Sequence, residues 1–370
     1  MRSSWIIGAM AWAVASSLIG GLPARAEEIE PEYQEVIEKG LQYLIRNQHK
    51  DGHWDANGQY PLTMTGLSGM ALLMEGSTIR EGKYAENIRK AVDWLIAPGR
   101  PQPSGLLCNM NLPGEAGRYM YGHGFAMMFL ACVYGEEEDA ERRRRLEEVL
   151  VKAVKFSFDA QTSRGGWGYV SAKDGGNFDE GSVTVTQLQA IRACRNAGIA
   201  VPKDCIDKGV KYLHDCTNSQ GGVIYSLGGG GGGDGRPALT AAAICCGFST
   251  GQYDSPDVKK WIKFCQNQAG LGAGGGGGGF RFGHDEYTHY YYSQCVYNLG
   301  EEGYERLFPN CKENDKLTWK KYRGPTFKNL KSTQQGDGSW MGAQVGPVFA
   351  TACHLAIMQL DKATLPLYQR

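Results

Sequence analysis

The sequence predicts an all-α protein in which six helix hairpins close into a double ring, an (α/α)6 toroid, and three observations carry that prediction. First, one turn is spelled twice in the form Gln-x-x-Asp-Gly-x-Trp, from Gln48 to Trp54 and again from Gln334 to Trp340. Second, weaker copies of the turn end at Trp167, Val223 and Phe280, so its terminal landmark falls at 54, 167, 223, 280 and 340. Those positions are about 57 residues apart with one double interval, the mark of an internal structural repeat; a decayed copy is expected near Gly105. Third, each turn separates a mixed polar and apolar segment from a more uniformly apolar one.

Taken in order, the first 26 residues stand apart from the repeat. A positive start at Arg2, the apolar run WIIGAMAWAVASSLIG and the small residues Ala24 and Ala26 before an acidic stretch read as a secretory signal. The expected location is therefore periplasmic or secreted, with residues 27–370 forming one toroid domain. No later segment is long and apolar enough to cross a membrane.

The first helix of each unit has one apolar face, as in EYQEVIEKGLQYLIRNQ, NIRKAVDWLIA and CIDKGVKYLHDC. The second helices, among them TMTGLSGMALLM, YGHGFAMMFLACVYG and FATACHLAIMQL, are apolar on most sides and should be buried on most sides. Amphipathic helices outside and apolar helices inside, repeated six times, describe the double ring. In the turn, Gly permits the positive φ that ends a helix sharply. Gln can satisfy orphan backbone groups there, and Trp covers them with apolar bulk.

Composition narrows the function classes. With 39 basic and 39 acidic residues the formal charge is zero, which argues against nucleic acid as a partner. The 11 cysteines are odd in number and lack zinc spacing. Several lie in apolar helices as small fillers; Cys194 and Cys205, flanking a helix-to-helix turn, are the first pair to consider for a disulfide. The segment His284-Asp285-Glu286-Tyr287-Thr288-His289 offers ligand chemistry, but its histidines are five apart, off one helical face. It reads as a helix start with Asp285 near the cap, so no metal and no cofactor are expected.

The repeated turns, the period and YGHGFAMMFLACVYG resemble the toroid shared by terpenoid cyclases of the squalene-hopene type and the β subunits of protein prenyltransferases. The resemblance covers essentially the whole of residues 27–370 and implies a central apolar cavity that takes an isoprenoid. It does not supply the chemistry. Class II cyclases protonate an alkene with the middle acid of Asp-x-Asp-Asp; here the nearest segment has Asp285 at the first acid and Tyr287 and Thr288 at the next two. Asp179 and Glu180 precede another apolar helix and are the other candidate acids. The prenyltransferase zinc pair Asp-x-Cys would correspond to Asp234 and Arg236, without the thiolate.

Aligned on one position, the apolar helices present Thr65, His123, Thr186, Thr240, His289 and Thr351, either a polar collar at the cavity rim or caps at the helix starts. Tyr119, Tyr121, Tyr287 and Tyr290 cluster near the same helix starts, where ring faces could meet a carbocation or a sugar. The glycine runs 228–233 and 274–279 read as loops near that rim. The expected function is thus binding of a hydrophobic, isoprenoid-derived small molecule, with catalysis open. The rival readings are a secreted carbohydrate-active enzyme on the same ring and a non-catalytic scaffold that binds protein.

Overall fold

Each outer helix buries one face and each inner helix nearly all of its circumference, as the pattern of apolar residues requires, except beyond the break at Gly300 in the fifth inner helix, where Glu301, Glu302, Glu305 and Arg306 are exposed. The computed structural model describes residues 28–228, 233–267, 285–342 and 344–368; the signal-like segment, most of the two glycine runs, Phe280 and His284 lie outside them. Unit one pairs α1 (Pro31–Arg46) with α2 (Pro61–Glu75). Unit two pairs α3 (Ala85–Ile96) with α5 (Tyr119–Tyr134) through a short α4 (Pro113–Ala116). The remaining pairs are α6 (Ala140–Ala160) with α7 (Gly181–Asn196), α8 (Lys203–Asp215) with α9 (Pro237–Ser249), α10 (Pro256–Asn267) with α11 (Asp285–Leu307), and α12 (Trp319–Thr333) with α13 (Pro347–Met358). The second of these helices pack in the closed order α2, α5, α7, α9, α11, α13 and back to α2. Among the described residues there is no strand, only isolated bridges at the turns, and no helix is long and apolar enough to cross a membrane.

The turn works as a clip with three attachments. Its tryptophan donates the indole N–H to the last turn of its own outer helix: Trp54 to Leu44 O, Trp167 to Ser157 O and Trp340 to Leu330 O, at 2.7, 2.7 and 2.8 Å. The backbone N–H of the same residue donates to the inner helix, to Oγ1 of Thr65, Thr184 and Thr351 respectively. The glutamine amide donates to the turn's own glycine carbonyl and also to the outer helix of the next unit: Gln48 to Asn87 O, Gln161 to Cys205 O and Gln334 to Val36 O, at 3.0, 3.0 and 2.9 Å. That last bond joins unit six to unit one and closes the circle. Three residues further along each receiving helix, a lysine carbonyl sits directly over the turn glycine. The predicted decayed copy is present, with Leu107 in the place of tryptophan and its N–H on His123 Nδ1 at 3.1 Å.

Salt bridges and hydrogen bonds reinforce the seam between units six and one. Arg323 clamps Glu30 with two hydrogen bonds of 2.8 and 2.6 Å and also reaches Asp361 at 2.6 Å. The guanidinium holds the Glu30 carboxyl at about 2, well below its ordinary range. Past α13 the chain turns back across the end of α2 and then into the ring, where Tyr368 is buried and its hydroxyl meets that of Tyr290 at 3.0 Å.

Cys194 and Cys205 are both buried free thiols and form no disulfide. Their side chains belong to the apolar packing of α7 and α8. The close sulfur pair is Cys245 and Cys295, at 3.3 Å, on the neighbouring helices α9 and α11.

The clip generates a stability prediction at the seam. Gly338 has φ +89°, and a Cβ there would lie 2.3 Å from the Lys39 carbonyl oxygen, whereas Gly251 has φ +81° with open space around it. Gly251→Ala should cost about 1–2 kcal/mol from backbone strain alone. Gly338→Ala adds a clash with immovable backbone and should cost more than about 3 kcal/mol. Urea unfolding of the two variants checks the difference.

Candidate functional site: the mouth of the inner ring

Each inner helix whose preceding turn is described follows that turn in the chain, and the starts of the inner helices open at one end of the ring. The third residue of its helix is Tyr121 in α5, Tyr287 in α11 and Phe349 in α13, so three units carry a large aromatic at the same level. Each of these rings is partly buried against the core. The Tyr121 hydroxyl pairs with Ser182 Oγ and approaches Glu180 Oε2 at 3.4 Å. Tyr287 donates to the Ser182 carbonyl at 3.1 Å and lies 3.4 Å from Thr186 Oγ1. In the loops that follow the clips, Tyr169 and Tyr225 join hydroxyl to hydroxyl. Arg118 lies over the first ring at 4.7 Å and Arg236 over the second at 4.4 Å.

Below this mouth the axis is filled among the described residues. Gln189 of α7 donates to Gln294 of α11 at 3.2 Å, and Tyr290, Tyr291 and Tyr368 occupy the space between neighbouring helices with at most 2% exposure each. The deep apolar cavity implied by the cyclase resemblance is therefore not formed by these residues. Tyr290 pairs with Tyr368 and Gln294 donates to the Tyr290 carbonyl at 2.9 Å, while Gln189 Oε1 and the Tyr291 hydroxyl complete no hydrogen bond.

The candidate acids have structural employment. Asp179 is fully buried and accepts from Tyr212 Oη, Ser226 Oγ and the Leu227 N–H at 2.9, 2.9 and 2.8 Å, besides pairing with Arg164 at 3.0 Å. Glu180 caps α7, accepting the Val183 N–H at 2.9 Å and the Ser182 hydroxyl at 2.8 and 2.7 Å. Burial raises its pKa even so. Asp285 begins α11; its side chain lies outside the described residues.

The collar expected from the inner-helix alignment is not directed at the axis. Thr65, Thr240 and Thr351 turn outward and accept the backbone N–H of Trp54, Val223 and Trp340. His123 does the same for Leu107 and touches Ser157 of the outer helix α6 through Nε2 at 3.0 Å. Complete burial pushes its pKa down to about 4, which suits a neutral ring in that role. In unit three the alignment is two residues out: Thr184 holds the clip, and Thr186 back-bonds to Ser182 O at 2.9 Å while facing Tyr287. His289 meets Tyr322 of the outer helix α12 at 2.6 Å, so this member of the collar is also directed toward the outer layer. Tyr119 anchors the loop after Trp167 through Asp174 and the Ser171 N–H, and Tyr290 lies deep in the axis. Of the residues expected to bind ligand, Tyr121, Tyr287 and Thr186 are brought together.

One carboxyl escaped the sequence reading. Glu115, in α4, is 1% exposed and neither of its oxygens completes a hydrogen bond. It lies against Leu62 and Gly122, between the starts of α2 and α5. Desolvation pushes its pKa up to about 7, outweighing the nearby amides of Asn109 and Leu62 and the more distant Arg100. Nothing in LPGEAG marks it, because a glutamate beside glycines in a polar stretch looks exposed.

Comparison with known proteins places this geometry within a fold. Neither protein-family profiles nor curated proteins match the chain. Among solved structures, an inactive variant of an alpha-1,6-mannanase of Salegentibacter sp., in complex with alpha-1,6-mannotetrose, superposes with TM-score 0.61 at 10% identity, covering 90% of this chain and 99% of that one. A type II terpene cyclase from Scytonema, holding geranylgeranyl dihydroxybenzoate, gives TM-score 0.53 at 14% identity, with 90% and 98% covered. The glucoamylase of Hormoconis resinae gives 0.59 at 10% identity, with 90% and 74% covered. The chain has the (α/α)6 toroid fold. At these identities the likeness is one of architecture, and it spans both terpenoid and carbohydrate enzymes.

Glu115 yields a pH prediction. Its folded pKa of about 7 exceeds the ordinary 4.5, so the folded state binds the extra proton between those values. Stability from this group is complete below pH 4.5 and is lost as pH rises through 7. Glu115→Gln should remove that loss. Relative to wild type, the variant should gain up to about 3 kcal/mol between pH 4.5 and pH 8, read from urea midpoints at the two pH values.

Proposed function

We propose that the protein is a binding toroid whose ligand sits in the mouth of the inner ring, and that the ligand is a compact, ring-bearing isoprenoid derivative. The observation that carries this reading is the set of three aromatics, Tyr121, Tyr287 and Phe349, at one level of three inner helices, above an axis that is already filled. Such rings offer apolar faces to a ligand, while the Tyr121 and Ser182 hydroxyls offer a polar end a partner. A long linear isoprenoid would need depth that the packed axis does not give. Turnover is not part of the proposal, because Asp179 and Glu180 are engaged in holding local structure. Location outside the cytoplasm belongs to this reading too, on the strength of the amino-terminal segment alone.

A saccharide is the second reading, favoured by the hydroxyl pairs Tyr169 with Tyr225 and Tyr121 with Ser182 beside ring faces. Glycoside hydrolysis in that mouth would need two free carboxyls about 5–10 Å apart.

The test has two arms on the full chain. Protein purified from its native host is extracted with solvent and the extract analysed by mass spectrometry; intrinsic fluorescence is then titrated with a polycyclic terpenoid alcohol and with a neutral oligosaccharide. The expected result is a co-purifying isoprenoid and saturable binding of the alcohol, weakened about tenfold by Tyr287→Ala, on the scale of one aromatic contact. Saturation by the oligosaccharide alone would replace the first reading with the second, and binding of neither would remove both.

A further inference from the structure

The clip of unit one carries three side chains that its repeats do without. Where unit one has His49, His53 and Asp55, unit three has Thr162, Gly166 and Gly168, and unit six has Gln335, Ser339 and Met341. The shared skeleton of Gln, Gly and Trp makes the same attachments in all three units, so the mechanics of the clip explain neither histidine; Asp55 takes the Gly58 N–H on Oδ1 at 2.9 Å, which leaves Oδ2 for the histidines.

The fold brings them to one point. The His49 N–H donates to the His53 carbonyl at 2.8 Å, and the Gly52 N–H to the His49 carbonyl at 2.9 Å, which sets the two histidines side by side. His49 Nε2 lies 3.0 Å from Asp55 Oδ2, and His53 Nε2 lies 3.8 Å from the same oxygen. One donor atom from each of the three residues falls within 4.8 Å of the others. Behind them, Asp51 holds His53 by Nδ1 at 2.6 Å and takes the indole N–H of Trp94 on its other oxygen at 3.1 Å. Trp94 stacks on the His53 ring at 4.8 Å, and Arg100 lies over Trp94 at 3.9 Å. With the Nδ1 proton given to Asp51, the His53 Nε2 lone pair faces Asp55. Asp51, His53 and Asp55 line a cleft of about 190 Å³ that is also walled by Arg100, Asn109 and Leu112 of unit two.

We propose that His49, His53 and Asp55 bind one divalent transition-metal ion of zinc-like character, with Asp51 as the positioning residue for His53 and the remaining coordination positions open to the cleft. Two imidazoles and a carboxylate suit such an ion. Bonds of about 2.0–2.2 Å in tetrahedral geometry place donor atoms about 3.3–3.6 Å apart; the two histidine-to-Asp55 distances, 3.0 and 3.8 Å, lie either side of this, and the third pair is within 4.8 Å. A carboxylate on the far ring nitrogen is the usual outer partner of a metal-bound histidine. The His49 and His53 rings stack at 4.2 Å and 8°, so their lone pairs run in parallel planes. Coordination therefore turns His49 out of the stack. Its side chain is 49% exposed and has room to do so, whereas His53 and Asp55, at 18% each, are held.

Equilibrium dialysis of the full chain against zinc, with cobalt(II) absorption as a second readout, tests the site. The expected result is one ion per chain at micromolar or lower free zinc, a cobalt spectrum in the visible, and a change in Trp94 fluorescence as the stack opens. His53→Ala and Asp55→Asn should each weaken binding at least about 100-fold, and Asp51→Asn about 10–100-fold. His214→Ala, which removes an exposed histidine paired with Asp257, should leave it unchanged. Asp55→Asn keeps the shape of the turn, and an unaltered thermal unfolding curve would show that its loss of zinc is not a loss of fold. No zinc bound by the wild type at about 100 µM, or equal binding by Asp55→Asn and His53→Ala, would overturn the proposal.

Discussion

The side-chain amide of a clip glutamine is the interaction on which the rest of this architecture depends. Each one bonds its own turn and the outer helix of the following unit, so it fixes both the end of one hairpin and the placement of the next. A hydrogen bond of this kind adds only about 1 kcal/mol. Its effect comes from geometry: the next helix is held so close that its lysine carbonyl touches the turn, which leaves space for glycine alone. Gln334 makes the same bond back to α1, so among the described residues three joints, the one that closes the ring included, are made alike.

A ring assembled this way has an inherent polarity. The described clips lie at one end, where the inner helices start, and the first turns of those helices form a mouth whose character is set by a handful of residues per unit. The opposite end is filled by the returning C-terminal segment, with Tyr368 in the axis. The cyclase resemblance implied depth at the centre; among the described residues there is instead an aromatic surface above paired glutamines and tyrosines. The function proposed above is local to the rim, and the same architecture occurs in terpenoid and carbohydrate enzymes.

Much of the fold was legible because the repeat is written in residues with singular physical properties. Tryptophan and glutamine at fixed offsets from a glycine announce the clip, and helix amphipathicity separates the outer layer from the inner. The site was less legible. Thr186 and Thr184 are both threonines two apart on one helix, and only the bond to Trp167 shows which one belongs to the turn. His123 aligned with threonines because it performs the same task, accepting a backbone N–H, so its chemistry suggested a cavity residue while its position made it a strut. Asp179 and Glu180 looked alike as acids before a helix, yet one is spent on a neighbouring loop and the other on a cap. Glu115 gave no sign at all, since burial depends on what packs over a residue and not on its neighbours in the chain.

The amino-acid sequence by itself determined the number of units, the layer to which each helix belongs and the closure of the ring, because these follow from local periodicity and from a turn repeated at constant spacing. Tertiary structure alone decided which way the helix-start side chains point, whether the axis is hollow, and which ionisable groups meet. Those outcomes depend on rotations of a few tens of degrees about each inner helix and on contacts between units far apart in sequence. The gathering of His49, His53 and Asp55 beside Trp94 is of this kind: the letters stand in plain view in the first turn, and only the fold gives them a common point.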